Sequence, residues 1–467
     1  MSASSRIPAR NRVRRLYDDA LYRFDSVEHS YWESTATGIA PDCPALRADA
    51  ACDVAIIGGG YTGLSTAYHL ARDLKADVRV LEAGHIGWGA SGRNAGFCSL
   101  GGTKLALERA IGRFGIEAVR HYWQSQVEAV ELVRSLITTE GIDAQITGDE
   151  ELDVACSARS FAELRSHAMT QFTLLGLDAS AVTAEEFRER YFDSPLQHGA
   201  IRVRPTFGLH PLRFLRGLAA AAMRKGTALH GGSEVLAWQK TGGKHWLCTA
   251  GGTLRADKVV MACNGFMPEH LHRSFAARPM PMISAIVVTR PLTDEELAAQ
   301  RWKSRSPMIT ARNLLNYFRL LPDRRMLFGG RGHSSGNAAG TASNHALLVS
   351  QLRQLCPAWN EVSIDYRWQG LVCFTRRLTA SIGRLDDDPS VYFAFGYHGN
   401  GVNTAIWAGR ELAGWIAHPS GGAVPKSIPL MVQGLSGRFP LPAMRLWYLR
   451  ARLAMMRAAD RIDDLRN

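Results

Sequence analysis

The chain is 467 residues long, 46% hydrophobic and 21% charged, a globular composition with room for two packed domains that argues against general disorder. A net charge of +12 and a pI near 9.5 raise nucleic acid or a membrane surface as partners, but the cations are nearly all arginine, with only eight lysines, and they are scattered. The charge therefore reads as compositional bias with no nucleic-acid partner, although a positive field would also suit an anionic substrate.

Residues 1–50 form an N-terminal arm. Arg6, Arg10, Arg12, Arg14 and Arg15 are followed by LYDDALYRFDS, with no apolar run, so no Sec or Tat signal is expected and the protein is placed in the cytoplasm. Residues 53–57 read as a buried strand, Gly58, Gly60 and Gly63 spell G-x-G-x-x-G, and Leu64, Ala67, Tyr68 and Ala71 recur at helical spacing. A second strand over 78–81 ends at Glu82 and Ala83. Gly58 suits the tight turn, Gly60 lets backbone amides approach a pyrophosphate, and Gly63 packs helix on strand. Tyr61 and Thr62 open the helix, whose unpaired amides favour an anion, and Glu82 is placed to accept from a ribose. The set predicts a dinucleotide site. A plain glycine turn in a βαβ unit is the alternative, and an acid at the second strand's end counts against it.

A second glycine-dense loop, 87–96, carries Ala90, Ser91, Arg93, Asn94 and Gly96. A fixed cation with small hydroxyl and amide donors can wrap the far half of a long cofactor, which a nicotinamide dinucleotide does not need. From Glu82 to Gly96 the sequence E-A-x-x-I-G-x-G-A-S-G-R-N-x-G resembles the FAD-dependent D-amino-acid oxidase superfamily, and is most similar to its gamma-glutamylputrescine oxidoreductase branch of amine oxidases. Ala95 stands where a second glycine is usual. The resemblance implies an α/β chain, α+β overall. A Rossmann-like FAD-binding domain is interleaved with an antiparallel-sheet substrate domain, the glutathione-reductase-2-like flavoprotein architecture, and FAD is bound non-covalently. On that plan 51–102, 205–265 and 366–418 form the FAD-binding domain, 103–204 and 266–365 the substrate or cap domain, and 419–467 a C-terminal extension. It also implies that Tyr31 and Trp32 lie against the body of the protein.

Beyond residue 103 the pattern turns helical, with Val119, Tyr122, Trp123, Val127, Val130, Leu132 and Val133 in register, then a strand over 151–155 and a helix through SFAELRSHAMTQFTLLGL. A helix over 211–225, strands near 228 and over 234–238, and a hairpin turning at Gly251 and Gly252 follow. The resemblance gives Val235 a backbone contact to the adenine, lets the strand end at Asn264 close over the nucleotide, and adds Gly370 to the cofactor set. Runs over 283–289, 315–320 and 325–329 are strand-like, and NYFRLLPDRRMLFGGRG resembles the family's sheet floor beneath the substrate, where Tyr317 and Arg331 are the residues best able to touch a polar substrate. For Tyr317 core packing is an equal alternative, while Arg331 between glycines needs a partner if buried.

A strand over 391–395 runs into Gly396-Tyr397-His398-Gly399-Asn400-Gly401 and a helix from about Val402. Gly399, Asn400, Gly401 and Val402 are read as a helix N-terminus aimed at the N1 and C2 carbonyl side of the flavin, whose anionic reduced form it stabilises. His398 is a candidate for proton handling or substrate contact, with a satisfied loop histidine as the alternative. Over Thr375 to Gly383, Arg377 and Ala380 replace the family's acid or amide and proline, which puts support of the flavin pocket in doubt. Asn403 falls where sarcosine-oxidase relatives place a carboxylate-binding lysine, and Leu327 where some relatives hold a lysine for oxygen activation. Cys373 lies near a covalent flavin attachment point but reads as structural. An Arg-rich amphipathic helix closes the chain, packed back on the body rather than lying on a membrane.

Eight cysteines show neither C-x-x-C nor metal spacing, so reduced, mostly buried thiols and no metal are expected, and no apolar run is long enough for membrane insertion. The expected function is oxidation of the C–N bond of a small, gamma-glutamylputrescine-like amine by hydride transfer to flavin N5. The imine is then hydrolysed to an aldehyde, and oxygen regenerates the flavin with release of hydrogen peroxide. A dehydrogenase using a quinone or protein acceptor and a catalytically impaired flavin-binding accessory or sensor are the alternatives, and the oligomeric state is open.

Overall fold

The computed structural model describes residues 15–38, 40–331, 333–419 and 423–465, and the leader with Arg6, Arg10, Arg12 and Arg14 lies outside them. The first glycine unit folds as β1 (Ala50–Ile57), α1 (Tyr61–Leu74) and β2 (Val78–Leu81). Val54, Ile56, Val78 and Val80 are buried because parallel strands covered by helices lose water from both faces. β1 lies between β2 and strand Thr253–Met261, parallel to both. The sheet runs Ser381–Arg384, Val391–Phe395, Thr253–Met261, β1, β2, Ala228–His230, and a hairpin of Ala237–Thr241 with Lys244–Cys248 extends it. The strand expected over 234–238 starts later. Its first residues are drawn into a connector, where Ser233 N–H donates to Glu82 O at 2.7 Å and Leu236 N–H to Cys248 O at 2.8 Å.

The second eight-stranded sheet contains β3 (Glu151–Val154), β4 (Met280–Pro291), β5 (Met308–Thr310), β6 (Asn316–Leu320), β7 (Arg325–Arg331) and β8 (Ile364–Phe374). Its order is β8, β4, β7, β6, β5, β3, Ala200–Arg204, Asp178–Val182. Pairing is antiparallel throughout except between β5 and β3, which run parallel. β8 departs from the expected division. Residues 364–374, placed with the FAD-binding segments from 366, pair along β4 from Met280↔Phe374 to Thr289↔Ile364 and belong to this sheet. A ten-pair ladder outweighs the short connection that leads back to the first sheet at Ser381. Pleating sorts the side chains: Leu152, Val154, Val287, Phe318 and Phe328 enter one apolar core. Glu151, Asp153, Ser284, Tyr317 and Arg331, one residue out of phase, take the opposite face.

The first sheet's late strand feeds α2 (Gly401–Ala417), which packs across α1. The crossing is close. Ser65 Oγ donates to Ile406 O at 2.6 Å, Thr62 Oγ1 and Tyr397 OH share a hydrogen bond of 2.5 Å, and a Cβ on Gly409 would fall 2.6 Å from Ser65 Cβ and 2.7 Å from Thr62 O. The last helix, α3 (Arg445–Leu465), folds back: Asp460 accepts from Asn313 N–H at 3.0 Å and Leu314 N–H at 2.9 Å, and Arg445 meets Glu269 at 2.8 Å. Among the described residues no helix is long and apolar enough to cross a membrane. None of the eight cysteines is in a disulfide, and four of them are buried and four half-buried rather than mostly buried. Because α1 and α2 meet at a glycine, Gly409→Val is expected to lower stability by about 1–3 kcal/mol through overpacking. Denaturant unfolding with an unchanged midpoint would show that the crossing tolerates a side chain.

Candidate active site

A cavity runs between the carboxyl edge of the first sheet and the polar face of the second. Its wall carries Gly58, Gly60, Tyr61, Thr62, Glu82, Ala83, Ala90, Ser91, Arg93, Asn94, Val235, Asn264, Gly370, His398, Gly399, Asn400, Gly401, Val402, Tyr317 and Arg331. Of the residues singled out from sequence, Gly63 and Gly96 stay behind the wall. A Cβ on Gly63 would lie 2.0 Å from Gly58 O, and one on Gly96 2.0 Å from Leu209 O, so both set backbone approach and neither touches the cavity. Gly58, at φ +108°, turns the chain where a Cβ would press on Ala262 O at 2.9 Å.

Side chains in the glycine loops organise the backbone around the cavity. Glu82 accepts from Gly59 N–H at 2.7 Å and Gly84 N–H at 3.0 Å, and burial pushes its carboxyl up against these two amides. Ser91 Oγ accepts from Tyr61 N–H at 3.0 Å, while Asn94 donates to Ala90 O and Ser91 O and accepts from Gly96 N–H. Arg93 is matched already: Nη1 donates to Glu28 at 2.9 Å and Gln369 O at 3.3 Å, and the guanidinium lies 4.5 Å over Trp88. The expected free cation for a phosphate or ring edge is thus a neutralised one. What faces the cavity freely is backbone. Neither Gly60 nor Asn400 caps its helix with a side chain, and apart from Tyr61 N–H, which Ser91 takes, the first-turn amides of α1 and α2 open onto it.

A match to a family then decides the class. The family of FAD dependent oxidoreductases named DAO matches residues 53–415. The chain belongs to the DAO family. It is an FAD-dependent oxidoreductase, of a family acting on C–N bonds of amines and amino acids. It is 32% identical over 391 residues to gamma-glutamylputrescine oxidoreductase of Escherichia coli K12, covering 82% of this chain and 88% of that protein. It is 30% identical to the probable oxidoreductase OrdL of Rhizobium meliloti 1021, covering 82% and 87%. In fold it resembles glycine oxidase of Bacillus cereus ATCC 14579, with TM-score 0.65, 20% identity, and 80% and 99% of the two chains covered.

The flavoenzyme's cavity fits FAD on its own geometry: a glycine turn closed by Ala262, two uncapped helix starts, and a buried imidazole nitrogen, His398 Nδ1, without a partner on the same wall. Burial pushes His398 down to about 3, so the ring is neutral, with Nε2 3.4 Å from Thr375 Oγ1. The neutral ring offers its unpartnered Nδ1 to hydrogen bonding with what enters the cavity. Tyr317 OH meets Ser284 Oγ at 2.8 Å and Ala285 O at 3.3 Å, and burial raises it to about 12, so it stays a phenol. Arg331 has no hydrogen-bonded acceptor among the described residues and lies 5.6 Å over Phe374.

Of three positions singled out by resemblance, two are off the cavity wall. Leu327 is buried in the core with Ile286 and Val288, and Asn403, fully buried, is not on the cavity wall, whereas Val402 and Ala405 are. Cys373 does reach the wall, with its thiol pushed up to about 12 by burial, and remains protonated.

Several residues of this site escape motif reasoning. Arg377, outside the cavity wall, donates to Ala380 O, Val432 O, Gln433 O and Gly434 O, pinning the C-terminal extension to the turn before Ser381. Arg319, 1% exposed, donates to Ala95 O, Leu209 O and Thr147 Oγ1 and ties the second glycine loop to β6. Lys104 and Glu151 stand on the cavity wall, and only Glu151's out-of-phase place in an apolar strand hinted at it.

Removing the Arg377 guanidinium strips donors from four carbonyls, so Arg377→Met is expected to lose roughly 2–3 kcal/mol and to open residues 430–436 to proteolysis. Wild-type Tm and protease resistance in that variant would exclude the bracing role. Burial, then the Asp153 charge, raises Glu151 from 4.5 to about 8, with Ser99 and Lys104 opposing. Its folded proton affinity exceeds the unfolded one, so this stability is complete below about pH 4.5 and is lost as pH rises toward 8. The substrate-free Tm is expected to fall across that window and Glu151→Gln to flatten the fall. Parallel pH profiles would rule it out.

Proposed function

We propose that the chain oxidises the C–N bond of a small, gamma-glutamylputrescine-like amine in the cytoplasm, with oxygen as the final acceptor. The observation that supports this is the continuity of one cavity from the glycine turn at Gly58 to the polar wall of Tyr317 and Arg331. A dinucleotide held at one end would thereby have its reactive ring beside a substrate at the other. The substrate named for the Escherichia coli relative supplies the candidate amine.

Bound FAD would supply the two-electron chemistry, as acceptor of a hydride from the α-carbon of a neutral amine, and the imine left by a primary amine would take up water to give an aldehyde and ammonia. The protein residues supply orientation. The backbone amides opening α1 would hold the pyrophosphate, with Gly58, Gly60, Tyr61 and Thr62 shaping the turn and Glu82 and Ala83 facing the ribose. Val235 and Asn264 would flank the nucleotide. Ala90, Ser91, Arg93, Asn94 and Gly370 would enclose the middle, and Gly399, Asn400, Gly401 and Val402 would present the start of α2 to the ring. Tyr317, a phenol held by Ser284, would donate to or accept from substrate without exchanging a proton. Arg331 would meet an anionic substituent, and His398 would offer a neutral nitrogen.

Anaerobic addition of gamma-glutamylputrescine to the purified yellow holoenzyme is expected to bleach the flavin bands, and admitting air to restore them with stoichiometric hydrogen peroxide. An unbleached spectrum would overturn the substrate. Bleaching that air fails to reverse, but a quinone does, would replace oxygen by a carrier acceptor.

A further inference from the structure

Three ionisable side chains, Glu151, Lys104 and Arg331, stand on the cavity wall with Tyr317, and among the described residues none has an ion-pair partner within 4 Å. Glu151 is 6% exposed, and among the described residues its one hydrogen-bond donor is the Ser99 hydroxyl. Asp153, two residues on in β3, shares its face, one row from Tyr317 through Ile309. Lys104, an exposed side chain, stands on the cavity wall, and Arg331 closes the group. Lys104, Glu151 and Arg331 line one cavity. Yet among the described residues no ion pair within 4 Å joins them. Burial raises Glu151 to about 8, so near neutral pH it keeps its proton until a cation enters beside it and favours the carboxylate. A chain that needed only a filled core would carry an apolar residue there, as Leu152 and Val154 do on the strand's other face. The unpartnered Nδ1 of His398, 3% exposed on the same wall, marks this end of the cavity as one completed by a ligand.

We propose that Glu151 with Asp153 is a subsite for an ammonium at the end of the substrate remote from the reacting nitrogen, and that Lys104 and Arg331 beside it take a carboxylate on that same end. The substrate is then an amine with a zwitterionic, amino-acid-type head. This rests on the amine-oxidising reading of the cavity, and adds which residues read the substrate and by what charge. The reacting amine has to be neutral to release hydride, so it gains nothing from a carboxylate partner. A permanently charged second ammonium does, and binding at a distance orients the α-carbon. The division also sets specificity: a monoamine or a plain diamine would leave buried charges unmatched, which discriminates more strongly than shape.

The test separates head-group recognition from turnover by using ligands without a reacting amine. Gamma-glutamyl-butylamide and glutaryl-butylamide differ only in the α-ammonium, and their binding to the holoenzyme is read from the flavin difference spectrum. Wild type is expected to hold the ammonium-bearing ligand about tenfold or more tightly. Glu151→Gln, which copies the shape of a protonated Glu151, should bring the ratio to about one, and Asp153→Asn should lower it severalfold. Arg331→Gln should weaken both ligands equally and keep the ratio. With gamma-glutamylputrescine, Glu151→Gln should raise KM with kcat little changed, the mark of remote binding. Equal binding of the two ligands by wild type, no binding of either, or a ratio preserved in Glu151→Gln would overturn the subsite. If gamma-glutamylputrescine fails to bleach wild type while the butylamide ratio behaves as stated, the proposed substrate falls and the subsite stands. If it bleaches while the ratio is near one, the reverse holds.

Discussion

The crossing of α1 and α2 is the contact on which this fold depends. The two helices begin about 340 residues apart in the chain, and each contributes an uncapped N-terminus to the same cavity. Uncapped starts are a liability unless water or a ligand meets their amides. Their placement is fixed by small groups: Gly409 against Thr62 and Ser65, the Ser65 hydroxyl on Ile406 O, and Tyr397 on Thr62. Because Tyr397 sits in the turn that launches α2, the same hydrogen bond that joins the helices also sets the height of Gly399 and Gly401. Two distant glycine elements can therefore serve one extended cofactor only if this contact is tight.

The second sheet solves a different problem. It must present polar chemistry while remaining a stable layer, and the pleat does so by giving one face to Phe318, Phe328 and Val287 and the other to Tyr317, Arg331 and Glu151. The parallel pairing of β5 with β3 matters here, since it brings Asp153 level with Ile309 and so with Tyr317. Neither strand is polar overall. The charges are single residues set into apolar strands, which is why their cost falls on the folded chain and their function on what enters the cavity.

The first glycine unit was legible because each part constrains the next: a buried strand of 53–57, three glycines at fixed spacing and an acid at the second strand end leave little freedom. The strand over 391–395 and the helix after it were legible for the same reason. The second sheet was half legible. β4, β6 and β7 announce themselves by apolar runs, but β5 has three residues, and the helix Ala338–Leu355 is rich in Ala, Ser, Asn and Gln, with too little apolar periodicity to be seen. The strand 364–374 joins the other sheet because its partner β4 lies about eighty residues earlier, and pairing over that separation leaves no local signature. Lys104 and Glu151 were missed for a related reason. Their chemistry exists only where loop 101–106 and strand β3 converge, and no spacing in the sequence encodes that.

Arginine, which looked like mere composition, turns out to be a structural material in this protein. Arg319 is buried and holds two carbonyls and a hydroxyl, Arg377 holds four carbonyls, and Arg216, 6% exposed, joins Ala36 O to Glu33. A guanidinium suits this work because it presents several donors in a fixed plane and stays charged when desolvated, whereas a buried lysine would lose its proton. Burial lowers Arg319 to about 9 and Arg377 to about 10, still high enough to remain cationic near neutral pH. Part of the +12 net charge is thus interior and already engaged with backbone dipoles. The field available to a substrate is then set less by the total than by the few cations left unmatched inside the cavity, Lys104 and Arg331, which is the place where an anionic group on a substrate would feel them at short range and low dielectric.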